Sequence, residues 1–514
     1  MNLSEQQTQI LQLLCSSQQE NIEMAKMLAV GIKWNINDWL YKNGYHLFGL
    51  ASPSDFTNNK ISVSDLSVDK WPQFLPQSIT EMTVFKYSKN SLPTPLPPKL
   101  QKLKINCNSI SHFGDNVPST LVILDMHNCG VKKLPDNLPK SLEKIEAYYN
   151  QISELPEVLP PNLKELYVNV NSLSQIPDLR NSQISIFNCS RNNIADISPA
   201  FNPSLKSLYA ENNQIKEINI PSQSQLEILN LNNNQISSLP ETLPSSLKQF
   251  KIAQNKISQL PATLPKNLFY LDISFNKISV FPKYNLPDLE DLYISHNLIE
   301  DIDISLYPLL ENLVIDNNQI SQLPDKLPKN LEDFDCSNNK ISQLPSKLSP
   351  KLEKLYCQNN QISHLPDLEN TKLLELKCGN NKLRTLPACY PKSLHTFEFN
   401  NNQISQIPPQ ITEQARHLDC SYNQIFELPS NGYGNIYRLN CGGNKITELP
   451  QAVLACAHEL AANDNQISEP IELEQTHLWY LDLSNNPLYK AQEFPDNFEI
   501  DIEGRKGHRY DYYD

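Results

Sequence analysis

The chain has 514 residues, a formal net charge of −14, 11 cysteines, and 38 prolines against 12 glycines. Acidity at this level argues against nucleic acid or an anionic membrane as the main partner, since both need clustered Lys and Arg, and no apolar run reaches the roughly 18 residues of a membrane-spanning helix. Scattered proline would mean disorder, but here it keeps a fixed interval, chiefly as Leu-Pro pairs, which means fixed extended backbone.

The chain as far as Gly44 reads as helices. Ser4 with Gln7, and Ser17 with Glu20, have capping-box spacing, in which each end satisfies the other's open backbone groups. Ile10, Leu11, Leu13 and Leu14, then Ile22, Ala25, Met27, Leu28 and Ala29, form helical apolar stripes. Gly31 is placed to end the second helix in a left-handed conformation. A third short helix is expected from Asn37 to Asn43, anchored by Trp34 and Trp39. The start of the chain lacks the basic region and apolar core of a secretory signal. A cytoplasmic protein is therefore expected, with secretion into a host cell without a classical signal as the alternative. Residues 1–60 read as a helical N-terminal cap and loop, and 61–81 as a degenerate first repeat; a cap is needed because an open strand edge is a template for aggregation.

From residue 82 to 490 one unit recurs, and Leu331–Lys351, LEDFDCSNNKISQLPSKLSPK, shows it. Counting Leu331 as the first place, apolar residues fall at the first, fourth and sixth, and asparagine at the ninth. The asparagine returns every 21 residues, through Asn318, Asn339 and Asn360, from Asn108 to Asn486, with Cys129 as the replacement in that series. An earlier copy reads Met82, Phe85, Tyr87 and Asn90, which makes the first interval, from Asn90 to Asn108, shorter than the others. That makes about 20 turns, each too small to bury its own apolar face and each stacked on its neighbours.

Each letter has a task. The fourth and sixth residues of a short strand point inward while the third and fifth point out, and strands of successive turns pair in parallel. The ninth-place amide can both donate to and accept from backbone groups that the turn leaves buried. Cys129 offers only a weak donor, so a soft spot is expected near residues 126–131. Cys189, Cys336, Cys357, Cys378, Cys420 and Cys441 all occupy the sixth place, as small buried hydrophobes. Stacked parallel strands do not converge four thiols tetrahedrally, so no metal site is expected. The return segment L-P-x-x-L-P forbids a regular helix. Residues 491–514 read as a C-terminal cap, with FEIDI alternating like a last edge strand.

These repeats, above all LPDKLPKNLEDF (323–334) and LPATLPKNLFYL (260–271), resemble the bacterial LPX class of leucine-rich repeats, the class of YopM and of IpaH-type effectors. The resemblance covers most of the chain. It implies a leucine-rich-repeat solenoid with a parallel β-sheet on the concave face, an extended, polyproline-like convex face and a small α-helical N-terminal cap. IpaH-type proteins follow their array with a ubiquitin-ligase domain, whereas here the last repeat asparagine, Asn486, is followed only by a short tail to Asp514, so ligase activity is not implied.

Outward places near the middle of the array carry Tyr270, Asp272, Asp291, Tyr293, Asp316, Asp333, Asp335 and Tyr356, flanked at the second place by Glu290, Glu311, Glu332 and Glu353. Tyr167 and Tyr209 continue the aromatic row. Tyrosine supplies contact area at low entropy cost, and clustered acids steer a basic partner; the alternative is that acidic surface simply keeps a long array soluble. Phosphate-cradling loops, zinc spacings and nucleophile elbows are missing. His395 and His417, with Glu398 and Asp419 nearby, read as surface coincidence, because a flat open sheet excludes no water. The expected function is non-enzymatic: a monomeric scaffold, without cofactor, binding a protein partner, with a basic segment as the expected contact. The alternative is the substrate-recognition subunit of an enzyme complex such as a ubiquitin ligase, or a secreted bacterial effector.

Overall fold

The computed structural model describes residues 3–16, 18–43, 50, 53, 59–63, 75–85, 96–106, 117–134, 138–221, 223–473, 476–490 and 499–501. The chain forms two compact units, Met1–Asn255 and Lys256–Asp514.

The first unit opens with three helices, α1 (Glu5–Cys15), α2 (Gln19–Gly31) and α3 (Ile36–Lys42). The capping box of α1 forms as expected: Gln7 N donates to Ser4 Oγ at 3.2 Å, and Ser4 N donates to Gln7 Oε1 at 3.0 Å. The expected second box does not appear in the described residues. The N-cap of α2 is Gln18, which makes no side-chain cap bond, and Ser17 lies outside the described residues. Nor is Gly31 the left-handed residue. That role falls to Lys33, with φ 52°, because Trp34 N reaches back to Ala29 O at 2.9 Å and Lys33 N to Val30 O at 3.0 Å, the paired bonds of a Schellman ending two residues later. In α2 the buried face is Ile22, Ala25 and Ala29, whereas Met27 and Leu28 are exposed. Residues 22, 25 and 29 repeat at three and four and share one stripe; Leu28 lies at its edge and Met27 on the opposite face. The Trp34 and Trp39 rings meet edge to face at 5.5 Å, and α1 is tied to the first turns by Gln77 N donating to Cys15 O at 2.6 Å.

Among the described residues ten parallel strands follow in this unit: β1 (Lys60–Val63), β2 (Glu81–Phe85), β3 (Lys102–Asn106), β4 (Ile123–Asp125), β5 (Lys144–Glu146), β6 (Glu165–Tyr167), β7 (Ile186–Asn188), β8 (Ser207–Tyr209), β9 (Ile228–Asn230) and β10 (Gln249–Lys251). Each pairs with the next at a shift of one full repeat, beginning with Lys60 opposite Glu81 and Glu81 opposite Lys102. The shorter first interval is therefore a misreading. The residue equivalent to Asn108 is Tyr87, not Asn90, and both lie outside the described residues. Burial decides the register: Met82 and Val84 are sealed in the core, and Phe85, expected inside, is exposed. A one-residue slip of a strand would turn its whole apolar set outward.

Asparagine holds the turns together. Asn192 Nδ2 donates to Val168 O of the preceding turn at 3.0 Å and to Cys189 O of its own turn at 3.0 Å, and Asn192 Oδ1 accepts from Leu173 N at 2.8 Å. Cys189 O in turn accepts from Asn213 Nδ2 of the next turn. Where successive turns both carry the asparagine, the sixth-place carbonyl thus serves two of them, which locks one turn to the next. The residue before each asparagine is left-handed, and sequence reading did not anticipate this. Asn212 and Asn233 adopt the conformation at low cost, but Tyr149, Val170 and Arg191 adopt it too, with φ of 53–55°. The stacked turns hold a backbone state that these side chains disfavour.

Cys129 stands where the amide belongs. It is fully buried, and its thiol lies 3.2 Å from Ile105 O and 3.4 Å from His127 O. One S–H hydrogen serves both. Cys129→Asn is expected to restore a full donor pair and raise stability by about 1–2 kcal/mol, measured as a higher denaturation midpoint together with slower amide exchange at residues 126–131.

The second unit continues the same construction with β11 (Tyr270–Asp272), β12 (Asp291–Tyr293), β13 (Asn312–Val314), β14 (Asp333–Asp335), β15 (Lys354–Tyr356), β16 (Glu375–Lys377), β17 (Thr396–Glu398), β18 (His417–Asp419), β19 (Arg438–Asn440), β20 (Glu459–Ala461), β21 (Tyr480–Asp482) and β22 (Glu499–Asp501). All are parallel, and the last, within FEIDI, pairs with β21 through Tyr480 opposite Glu499, a step slightly shorter than the repeat. The six sixth-place cysteines across the two units are fully buried. Burial pushes the Cys378 and Cys441 thiols up to about 12.

The return segments are extended where both Leu-Pro pairs are present. Among the described residues, single 3-10 turns occur at Ser198–Ala200, Ile304–Leu306 and Pro487–Lys490, and two repeats carry short helices, α4 (Pro409–Gln414) and α5 (Gln451–Cys456). Their sequences, QIPPQITEQAR and LPQAVLACAH, lack the second Leu-Pro pair. Proline at a helix start costs nothing because its missing N–H would be unbonded there, and the residues that follow are free to coil.

Candidate protein-binding face

In each three-residue strand the middle side chain is buried and its neighbours face out. That alternation puts the predicted outward residues on one face of β11 to β15, with Asp316 just beyond β13. Pairing sets Tyr270 opposite Asp291 and Asp272 opposite Tyr293. Each tyrosine therefore has an aspartate across from it and another two residues along its own strand. The two rings meet diagonally, 5.4 Å between centroids. Both phenols are held above their ordinary range, first by burial and then by the aspartates around them.

The face is less uniformly acidic than the sequence reading had it. Asp291 accepts from Asn312 Nδ2 at 2.7 Å. Asp316 accepts from Ser295 Oγ and Asn317 Nδ2 and lies 3.9 Å from His296 Nε2, whose ring stacks on Phe275 at 4.1 Å. Lys354 pairs with Asp333 at 3.0 Å. Tyr356 OH donates to Glu375 Oε2 at 2.6 Å beneath Lys377 Nζ, which sits 5.3 Å from the ring and pairs with Glu398 at 3.3 Å. Lys354 and Lys377 stand at the outward third and fifth places of their turns, where spacing alone makes them legible. The strip thus runs from an acid–tyrosine end at β11–β12 to a mixed-charge end at β14–β16. Tyr167 lies in the first unit, where it donates to Glu165 at 3.2 Å with Lys144 Nζ 5.0 Å from its ring, and Tyr209 ends β8 of that unit.

Asp335 carries a cost. Its carboxyl sits above the ordinary carboxylate range, chiefly because burial opposes its charge; Ser337, donating from N at 2.9 Å and from Oγ at 2.6 Å, pulls it back, and Asp316 pushes it further up. A carboxyl whose folded value is raised destabilises the fold once it ionises, so stability falls as pH rises from the ordinary value, about 4, through the raised one. Asp335→Asn keeps the acceptor for Ser337 and removes the charge. The variant is expected to match the wild type near pH 4 and to exceed it at pH 7, read from denaturation midpoints across that range.

His395 and His417 are neighbours, with Thr396 opposite His417. His395 Nδ1 engages Thr396 Oγ1 at 3.2 Å, and Asp419 accepts from Ser421 Oγ at 2.6 Å. His417 is held below its ordinary value by burial, then by Arg416, Arg438 and His395.

A family model for leucine-rich repeats in two copies matches residues 266–307, and a second leucine-rich-repeat model matches residues 225–250. No curated protein matches the chain. Among solved structures, YopM from Yersinia enterocolitica is 30% identical with a TM-score of 0.64, over 83% of this chain and 92% of that one. A leucine-rich-repeat protein of Leptospira interrogans is 21% identical at TM-score 0.51, over 77% and 94%. The Arabidopsis receptor kinase HAESA, in complex with the peptide hormone IDA and the co-receptor SERK1, is 22% identical at TM-score 0.54, over 78% of each chain. Repeat register, buried asparagine ladder and a relative matched over nearly its whole length converge: the chain belongs to the leucine-rich-repeat family, whose fold is typical of protein-interaction scaffolds and receptors.

Proposed function

We propose that the protein is a non-enzymatic interaction scaffold that takes a basic segment of a protein partner along Tyr270, Asp272, Asp291, Tyr293, Asp316, Asp333, Asp335 and Tyr356. One observation carries this reading. Asp272 and Asp291 sit around two outward tyrosines whose rings are 5.4 Å apart, a pairing of contact area with negative charge that suits a Lys- or Arg-bearing chain. Asp335 supports it, since a raised carboxyl on an outward strand position is a feature that recurs at functional sites.

The test is crosslinked capture from source-cell and eukaryotic lysates by the full chain, beside a variant carrying Tyr293→Ala, Asp333→Lys, Asp335→Lys and Tyr356→Ala with matched circular dichroism. A partner crosslinked through a Lys- or Arg-rich segment and recovered at least about tenfold less by the variant is the expected result. Equal recovery by both proteins would exclude the strip.

A further inference from the structure

The second place of the repeat changes character within the second unit. It carries Glu290, Glu311, Glu332 and Glu353 on four successive turns, and then, from the turn of β17 onward, His395, Arg416, Tyr437, His458 and Trp479, with no acid among them. His417 and Arg438 stand beside this row at the third place and face each other across β18 and β19. On a chain of net charge −14, the second place of these five turns carries Arg416 and no acid, while Glu398, Asp419, Glu459 and Asp482 stand at the outward places of the strands beside it.

The rings form a connected series. His417 meets Tyr437 edge to face at 6.0 Å, Tyr437 stacks on His458 at 4.8 Å, and His458 stacks on His477 at 6.0 Å. His395, Arg416, Arg438 and His477 are exposed, and Trp479 is 48% exposed. The row therefore offers two guanidinium forks and a graded aromatic surface to the solvent. Arg438 already shows which chemistry it accepts, since its Nε lies 3.5 Å from the Glu459 carboxylate.

We propose that this row is a second docking site, distinct from the tyrosine–aspartate strip, and that it takes an acidic segment of a partner protein with its carboxylates on Arg416 and Arg438 and its apolar groups on Tyr437 and Trp479. Carboxylates fit the guanidinium fork bidentately. Polyphosphate backbones and anionic bilayers draw on many fixed cations, whereas here the fixed cations of the row are two arginines. The groups facing His417 are Arg416, Arg438 and His395, with Glu375 opposing them; those facing His458 are Tyr437 and His477, with Glu459 next in the chain and held by Arg438. Burial and the cations around it hold His417 below its ordinary value; a bound carboxylate adds a counter-charge that favours its protonated form, so docking tightens as pH falls.

The experiment is fluorescence anisotropy of the full chain with a labelled peptide of about twelve residues, mostly glutamate, beside a lysine peptide of equal length, a single-stranded DNA oligonucleotide and phosphatidylserine vesicles. Saturable binding of the glutamate peptide is expected, at least about fivefold tighter at pH 5.5 than at pH 8. Arg416→Glu with Arg438→Glu should weaken it at least about tenfold. His417→Gln should bind like the wild type at pH 8 and tighten less in acid. Asp333→Lys with Asp335→Lys should leave it intact, which separates this site from the other strip. Absence of binding, binding that survives the arginine reversals, loss in the aspartate variant, or preference for DNA or vesicles would each overturn the proposal.

Discussion

Asn318→Ala is expected to destabilise the second unit by about 3 kcal/mol or more, because several buried backbone groups lose their partner at once. Asn318 Nδ2 donates to Ile294 O at 3.0 Å, Ile315 O at 3.1 Å and Asp316 O at 3.2 Å, and Oδ1 accepts from Ile299 N at 3.1 Å. Ile294, Ile299 and Ile315 are fully buried, so water cannot replace the amide. Asn318→Asp should fare worse at neutral pH, since it sets a carboxylate against three carbonyl oxygens. Ile294 O and Ile315 O keep one bond each, from Asn297 and Asn339, and this sharing limits the damage to adjoining turns. Hydrogen exchange should show new openings around residues 294–320 and unchanged protection far from them within the unit. A loss below about 1 kcal/mol would mean that the ladder is replaceable.

Phe334→Ala should cost about 3–5 kcal/mol. Phe334 is 1% exposed and lies at the fourth place of β14, between Leu313 and Leu355 on the paired strands. Truncation leaves a void that rigid neighbouring turns cannot close. Phe334→Leu supplies the residue those neighbours already carry and should cost less than about 1.5 kcal/mol. Denaturation midpoints of the two variants separate cavity formation from simple loss of apolar area. Asp333 and Asp335 flank Phe334 on the same strand, so the alanine variant should also weaken capture of a partner bound along the strip, and the leucine variant should not.

Much of this was legible in the letters. The constant interval between asparagines dictated parallel strands offset by one repeat, and the alternation around Phe334 dictated that Asp333 and Asp335 face out. Both follow from local periodicity, which a chain displays without folding. The sixth-place cysteines likewise read as core residues, because each stands where other turns carry leucine or isoleucine.

Tertiary structure decided what periodicity leaves open. Asn90 matched the ninth-place letter, but burial of Met82 and Val84 aligned β2 with β3 and turned Phe85 outward. The left-handed state at Tyr149, Val170 and Arg191 contradicts local preference, and stacking imposes it on all three alike. Charge on the outward face was also settled by placement. Composition counts Lys354 and Asp333 as opposite charges anywhere in the chain; strand pairing sets them 3.0 Å apart, and the same pairing leaves Tyr270 and Tyr293 among aspartates. By itself the sequence determined the repeat and which side chains point outward, since both depend on spacing along one strand; which of those side chains meet depends on register between strands, and only the packed turns set that.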